Sequence, residues 1–206
     1  MGALKLASDS LLLLATLFGI TLVANATPFF GASYTLIATT ELISNGYSFG
    51  SFMLFVVVTA VGATLAKIVM YTGAFGFRRE LTKNKNIRLF HEWLRMRSFY
   101  VALFITAFIP LLPLDDYVYI GAGANRASLA PMLGVTFIAK LAKSAFEISL
   151  ELAGILGIVD ATKRFVGLSA FDLSVLFSLF FIVLGVVLYK IDWESILKRA
   201  GLIKEE

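Results

Sequence analysis

Lys140, Lys143, Glu147 and Glu151 recur at intervals of three, four and four residues inside a stretch that is otherwise apolar. On an α-helix that spacing lines all four along one face, and Ser144 extends it. Lys143 and Glu147 are i,i+4 partners, although with lysine first the order is the weaker one. Glu147 and Glu151 repel when both are ionised, which makes them candidates for proton exchange. Ammonium groups in such a row can attract phosphate, while the carboxylates can exchange protons or balance charge. Asp115 and Asp116 form a second acidic feature, between Pro110 and Pro113 on one side and Gly121-Ala122-Gly123 on the other. Adjacent helical residues do not share a face, so one of the two is expected to point inward and the other to cap or stay wet.

Three further charged residues have two readings each. Glu41 is either an interfacial residue at the end of a short helix or an acid lining a cavity. Arg126, just after the Gly-Ala-Gly turn, is either a ligand for lipid phosphate or a plain interfacial arginine. Lys67 lies near a span end, where it is expected to snorkel to the interface. Cysteine is absent and there is one histidine, which excludes a disulfide framework, a thiolate nucleophile and a Cys- or His-based metal centre. Two adjacent acids are a weak signal for a divalent ion. No cofactor, metal or covalent chemistry is called for, and the chain is not expected to be an enzyme.

The elements that carry these residues must tolerate lipid. Of the 206 residues 59% are hydrophobic and only 16% are charged, against roughly half and about a quarter in ordinary globular chains. A water-soluble fold of this size has too much surface to hide so much apolar side chain. The net charge of +4 is placed unlike that of a nucleic-acid binder. Arg78, Arg79, Lys83, Lys85, Arg88, Arg95 and Arg97 lie between two apolar segments, as a cytoplasmic juxtamembrane loop would.

The pattern predicts an all-α polytopic membrane protein with four transmembrane helices and two re-entrant or broken elements. Six full spans are the alternative. Residues 1–27 hold the first span, Leu4 to Ala26. Its run from Leu11 to Val23, before Ala24-Asn25-Ala26, looks like a signal peptide, but the apolar stretch is long for one and reads as retained. Residues 28–160 form the core: a short element over Phe29–Ile43, a span over Phe49–Tyr71 and the basic loop 76–97, followed by a broken element over Phe99–Ala124 and a long helix from Ala130 to Ile158. Gly62, Ala63 and Ala66 allow close helix contact in the second span, and Ile87, Phe90 and Leu94 make the loop an interfacial amphipathic helix. Residues 161–206 hold the last span, Phe171–Lys190, and a charged tail with Trp193. The positive-inside rule then puts the basic loop and both termini in the cytoplasm of a multi-pass cell-membrane protein, with Lys163 and Arg164 a minor exception outside.

Over residues 28–160 the sequence resembles the DedA family of VTT-domain membrane proteins, also described as SNARE-associated. The likeness rests on the short segment carrying Glu41, on Val61-Gly62-Ala63-Thr64-Leu65, and on Phe108-Ile109-Pro110-Leu111-Leu112-Pro113-Leu114-Asp115-Asp116 with its Gly121-Ala122-Gly123 turn. The resemblance implies paired re-entrant helices and the movement of phospholipids or lipid-linked phosphates between leaflets, with proton coupling as proposed for bacterial relatives. Many bacterial members carry an Arg-Phe-x-Pro-x-x-Arg pattern at the second re-entrant element. Here Ala107 and Pro113 stand at the arginine positions, so that phosphate-binding role does not transfer. In such a divergent member Asp115 or Asp116, with Lys140, carries the polar work.

The expected function is therefore a lipid scramblase or lipid-phosphate transporter. Arg126, Lys140 and Lys143 are its headgroup-binding candidates, and Glu41, Asp115, Asp116, Glu147 and Glu151 its transport or proton-exchange candidates. Membrane lipids, anionic or phosphate-linked, are the expected partners; protons and a second copy of the chain are further candidates, and nucleic acid is not. A secondary transporter of a small soluble solute is the main alternative, since broken helices and intramembrane charge serve that purpose too. A structural membrane protein locked by internal charges is the other.

The two broken elements can be tested on this cysteine-free chain by introducing single cysteines and labelling from each side of the membrane. Both ends of Phe29–Ile43, and both ends of Phe99–Ala124, should label from one side. Labelling of a segment's two ends from opposite sides only would make it an ordinary span.

Overall fold

Ser48 starts the longest helix. Its hydroxyl accepts the Ser51 N–H at 3.1 Å, and the Ser51 hydroxyl accepts the Ser48 N–H at 3.0 Å. This reciprocal cap satisfies two of the donors that a helix start leaves unpaired. The structure is a computed structural model that describes residues 2–27, 34–44, 47–83, 94, 98–109 and 114–155, together with positions 179, 183, 187 and 190. Every regular element among them is helical: α1 (Gly2–Ala26), α2 (Tyr34–Ser44), α3 (Phe49–Gly76), α4 (Arg78–Leu81), α5 (Ser98–Phe108), α6 (Leu114–Ala124) and α7 (Leu129–Leu150). A wide π turn, Glu151–Ile155, closes α7, and Gly154 leaves it at φ +125°, a conformation that glycine adopts without strain.

Length separates these helices into two kinds. The 28 residues of α3 rise about 42 Å, well beyond a hydrocarbon core of about 30 Å. The stretch Leu129–Gly154 has 26 residues, and among the described residues these two helices are long and apolar enough to cross a membrane. By contrast α2 and α6 have 11 residues each, a rise of about 16 Å. Neither could cross alone.

α3 is the hub, packed against α1, α6 and α7. Leu17 of α1, Ala38 and Leu42 of α2, Phe52, Phe55 and Val56 of α3 and Ile148 of α7 form one buried apolar cluster. Met70 of α3, Phe99 and Leu103 of α5, Tyr119 and Ala122 of α6 and Met132 of α7 contribute to another. The order of these residues along the chain shows that α3 and α7 run antiparallel, with α2 at one end of the pair and α6 at the other.

Two glycines set how closely α3 is held. A Cβ on Gly62 would stand 3.1 Å from the Phe18 carbonyl oxygen and from Thr21 Cβ of α1. A Cβ on Gly123 would collide with the Tyr71 carbonyl oxygen and come within 3.0 Å of Ala74 Cβ. Small residues at such crossings let backbones approach, which is how helices gain packing in lipid.

The long segment expected over 130–158 is α7 followed by the π turn. Residues 99–124, expected to form a broken element, carry α5 and α6; the prolines at 110 and 113, and with them the join between the two helices, lie outside the described residues. Of the basic loop 76–97 only residues 76–83, with α4, and Leu94 are described, and the short element over 29–43 is described from Tyr34 as α2. The last span and the tail also lie outside, except that Leu179, Val183, Val187 and Lys190 are helical and exposed.

Gly123→Ala should lower stability by about 1–3 kcal/mol, the usual range for forcing a methyl into a filled contact. Gly134→Ala, where the added Cβ would meet open space, should not destabilise the protein. Thermal unfolding of the two variants in detergent checks the pair; equal melting temperatures would mean that α3 and α6 do not touch at Gly123.

Candidate functional site

Ala60, Ala63, Lys67, Met70 and Ala74 follow one another along α3 at intervals of three and four, and all five are buried. A lysine at the centre of this small-residue stripe has no route to the interface. Lys67 does not snorkel, because its ammonium is fixed inside by two carboxylates. It lies 3.1 Å from Asp115 Oδ2 and also pairs with Asp116. Asp115 Oδ2 in turn receives Lys140 Nζ of α7 at 2.8 Å. Side-chain exposure is 3% or less for every member of this quartet.

The expectation that Asp115 and Asp116 divide between inside and wet is therefore corrected. Both sit in the first turn of α6, where side chains flare from the helix start and exposed N–H groups favour negative charge. Lys67, reaching across from α3, bridges the two neighbours. Nearby, Tyr119 Oη and Thr136 Oγ1 share a hydrogen bond of 2.9 Å, which ties α6 to α7 just beyond the quartet.

Further along the same face of α7 the pairing loosens. Lys143 Nζ is 3.9 Å from Glu147 Oε1, with side-chain exposures of 9% and 13%. That distance is an ion pair without a close hydrogen bond. Beyond it, the buried Glu151 carboxylate accepts Thr35 Oγ1–H at 2.8 Å and Thr39 Oγ1–H at 2.5 Å, one at each oxygen. No cation lies within ion-pairing distance of Glu151 among the described residues. α2 thus presents two hydroxyls to the end of the charged row. Tyr34 Oη and Ser144 Oγ, which are neighbours, are also buried in this region.

The row read from the spacing is real: Lys140, Lys143 and Glu151 are buried, Glu147 is partly so, and Ser144 is fully enclosed. It divides into a tightly paired part at Lys140 and a loosely paired part from Lys143 to Glu151. Two sequence candidates stand apart. Glu41 is partly exposed at the margin of α2's buried face, and Arg126 is exposed at the turn between α6 and α7. Sequence reasoning missed Lys67, whose signal was its place in the Ala60–Ala74 stripe. It also left out Thr35 and Thr39, although their i,i+4 spacing faces one target. Among the described residues no group of three acidic or histidine side chains could hold a metal ion.

Residues 36–150 match the VTT domain, from the second residue after Tyr34 in α2 to the last of α7. No curated protein and no solved structure matches the chain. The matched region contains the whole quartet and the Lys143–Glu147 pair, while Thr35 and Glu151 lie one residue beyond its two ends.

Lys67→Met leaves two buried carboxylates to one lysine and should cost about 3–5 kcal/mol, as breaking a buried pair does. Adding Asp116→Asn removes the surplus charge and should restore most of that stability. Melting temperatures of the single and double variants in the same detergent decide it. No recovery in the double would mean that Lys67 acts through packing alone.

Proposed function

The chain belongs to the VTT-domain family, and on that premise we propose that it moves a polar lipid headgroup between bilayer leaflets, as a scramblase or lipid-phosphate transporter. The observation that carries this reading is the polar face of α7. From Thr136 to Glu151 it rises about 22 Å, a large part of a hydrocarbon core of about 30 Å, and buried polar groups of α2, α3 and α6 meet it. A headgroup following such a face keeps polar partners while its chains remain in lipid. This lowers the desolvation cost that otherwise forbids the crossing.

The roles divide as the pairing does. Lys67, Asp115, Asp116 and Lys140 pair with one another and hold α3, α6 and α7 in register. Lys143, loosely paired, attracts the phosphate, and Tyr34 and Ser144 offer it hydroxyls. Glu147 and Glu151 exchange protons, Glu151 from a setting of two threonines with no cation. The short helices α2 and α6 act as the re-entrant elements that leave this face accessible from either side. The fully closed quartet favours a second reading, in which the network serves packing alone.

The test is a leaflet-exchange assay with fluorescent lipids in sealed vesicles, run beside protein-free vesicles and limited to variants shown to fold. Wild-type protein should accelerate the exchange of anionic lipid. Lys143→Gln should slow it roughly tenfold, the equivalent of losing one charge-assisted hydrogen bond of about 1.5 kcal/mol, with a smaller effect on neutral lipid. Glu151→Gln should flatten the dependence of the rate on pH. Wild-type vesicles with no excess exchange for any lipid class, with or without a pH gradient, would sink the transport reading and leave the packing one.

A further inference from the structure

Arg126 is the single non-glycine residue with a positive φ, +59°, among the described residues. It closes α6 in a turn where the Ala127 N–H donates to the Ala122 carbonyl at 2.9 Å and the Arg126 N–H to the Gly123 carbonyl at 3.3 Å. This is the Schellman arrangement, and its left-handed position is normally filled by glycine, because a Cβ there crowds the backbone. An arginine held in that conformation at a cost to the fold invites a functional explanation.

Its side chain has company. The Arg126 guanidinium carbon lies 5.6 Å from the centroid of the Phe75 ring, and that of Arg78 lies 5.8 Å from the same centroid. Two cations thus converge on one ring at the end of α3, where α4 packs against α6. Neither arginine has a carboxylate within ion-pairing distance among the described residues, and the neighbouring Glu80 is taken by Lys83 at 2.6 Å. Phe75 and Phe77 are exposed, at 45% and 73%. An exposed ring beneath two guanidinium groups, with Phe77 also exposed at the end of a membrane-length helix, suits the boundary between acyl chains and headgroups. Guanidinium forks match the geometry of phosphate oxygens, and a shared ring holds them in place at little further entropic cost.

We propose that Arg78 and Arg126, braced on Phe75, hold the phosphate of an anionic membrane lipid at the interface. This site lies outside the buried face of α7. It requires binding but no movement of lipid, so it stands or falls separately from the transport reading.

Arg126→Gly provides an unusual test, because glycine suits the left-handed turn while removing the guanidinium. The solubilised full chain would be titrated with phosphatidylglycerol or phosphatidylcholine, bound lipid being counted by native mass spectrometry and melting followed in lipid-free detergent. Wild type should retain phosphatidylglycerol in preference to phosphatidylcholine. Arg126→Gly should melt at a higher temperature yet bind phosphatidylglycerol roughly tenfold more weakly, as expected for a lost charged hydrogen bond. Arg78→Gln should weaken binding similarly, and the double variant should lose the preference. An undiminished preference in the double variant would overturn the site. So would a lower melting temperature for Arg126→Gly with unchanged lipid binding, which would make Arg126 a structural residue. Displacement of the lipid by glycerol phosphate at equal concentration would assign the arginines to soluble phosphates and overturn the lipid assignment. Binding without leaflet exchange in vesicles would uphold this site and count only against transport.

Discussion

The ammonium of Lys67 between Asp115 and Asp116, with Lys140 closing the group from α7, is the constraint on which the arrangement depends. Apolar clusters alone would not supply it, because lipid tails are as apolar as Leu or Phe and give helices no solvent-driven reason to associate. In that setting a charge must find its partner or face hydrocarbon. Sliding α7 by one turn, about 5.4 Å, would part Lys140 from Asp115. The quartet therefore selects a single register for α3, α6 and α7, and the apolar clusters on either side of it fill the register so chosen. The small residues of α3 make this geometry accessible, and the first turn of α6 supplies both acids where the helix end welcomes them.

The same polar face changes character along its length. At Lys140 the ion pairs are short and fully buried, which suits a fixed joint. From Lys143 onward the ion pair is long, and Glu151 relies on the hydroxyls of Thr35 and Thr39. Those threonines donate to a carboxylate on another helix, whereas Thr59 and Thr64 of α3 donate to carbonyls of their own helix. α2 is consequently attached to α7 by neutral donors instead of charges. It is a weaker attachment than the quartet, and it sits at the opposite end of the α3–α7 pair.

Much of this was legible before any coordinates. Composition and apolar runs give an all-α chain with membrane-length helices, and the starts of α3 and α7 fall at or beside the expected Phe49 and Ala130, while α3 runs past Tyr71 and α7 gives way to the π turn after Leu150. The face shared by Lys140, Lys143, Glu147 and Glu151 followed from helical spacing alone. Lys67 is misread when its nearness to a span end is weighed above its neighbours; a snorkelling lysine needs an open side, and Lys67 shares a buried side of α3 with Ala63, Met70 and Ala74. Asp115 and Asp116 were separated by a rule that holds for helix interiors and relaxes in the first turn. Pairing across 49 residues, as between Lys67 and Asp116, leaves no periodic trace. Nor could spacing show that two threonines of α2 meet an acid 112 and 116 positions away.

The glycine contacts of α3 have a consequence for how this sequence can drift. Leu65 and Val69 are 39% and 52% exposed, so an apolar residue of similar bulk can replace them at little cost. Gly62 has the backbone of α1 against it, so there the smallest residue of all is the one that carries the restriction. Variation among descendants of this chain should then run opposite to the usual intuition about size. Its exposed large apolar positions are the tolerant ones, while Gly62 and Gly123 are frozen by the backbone across from them.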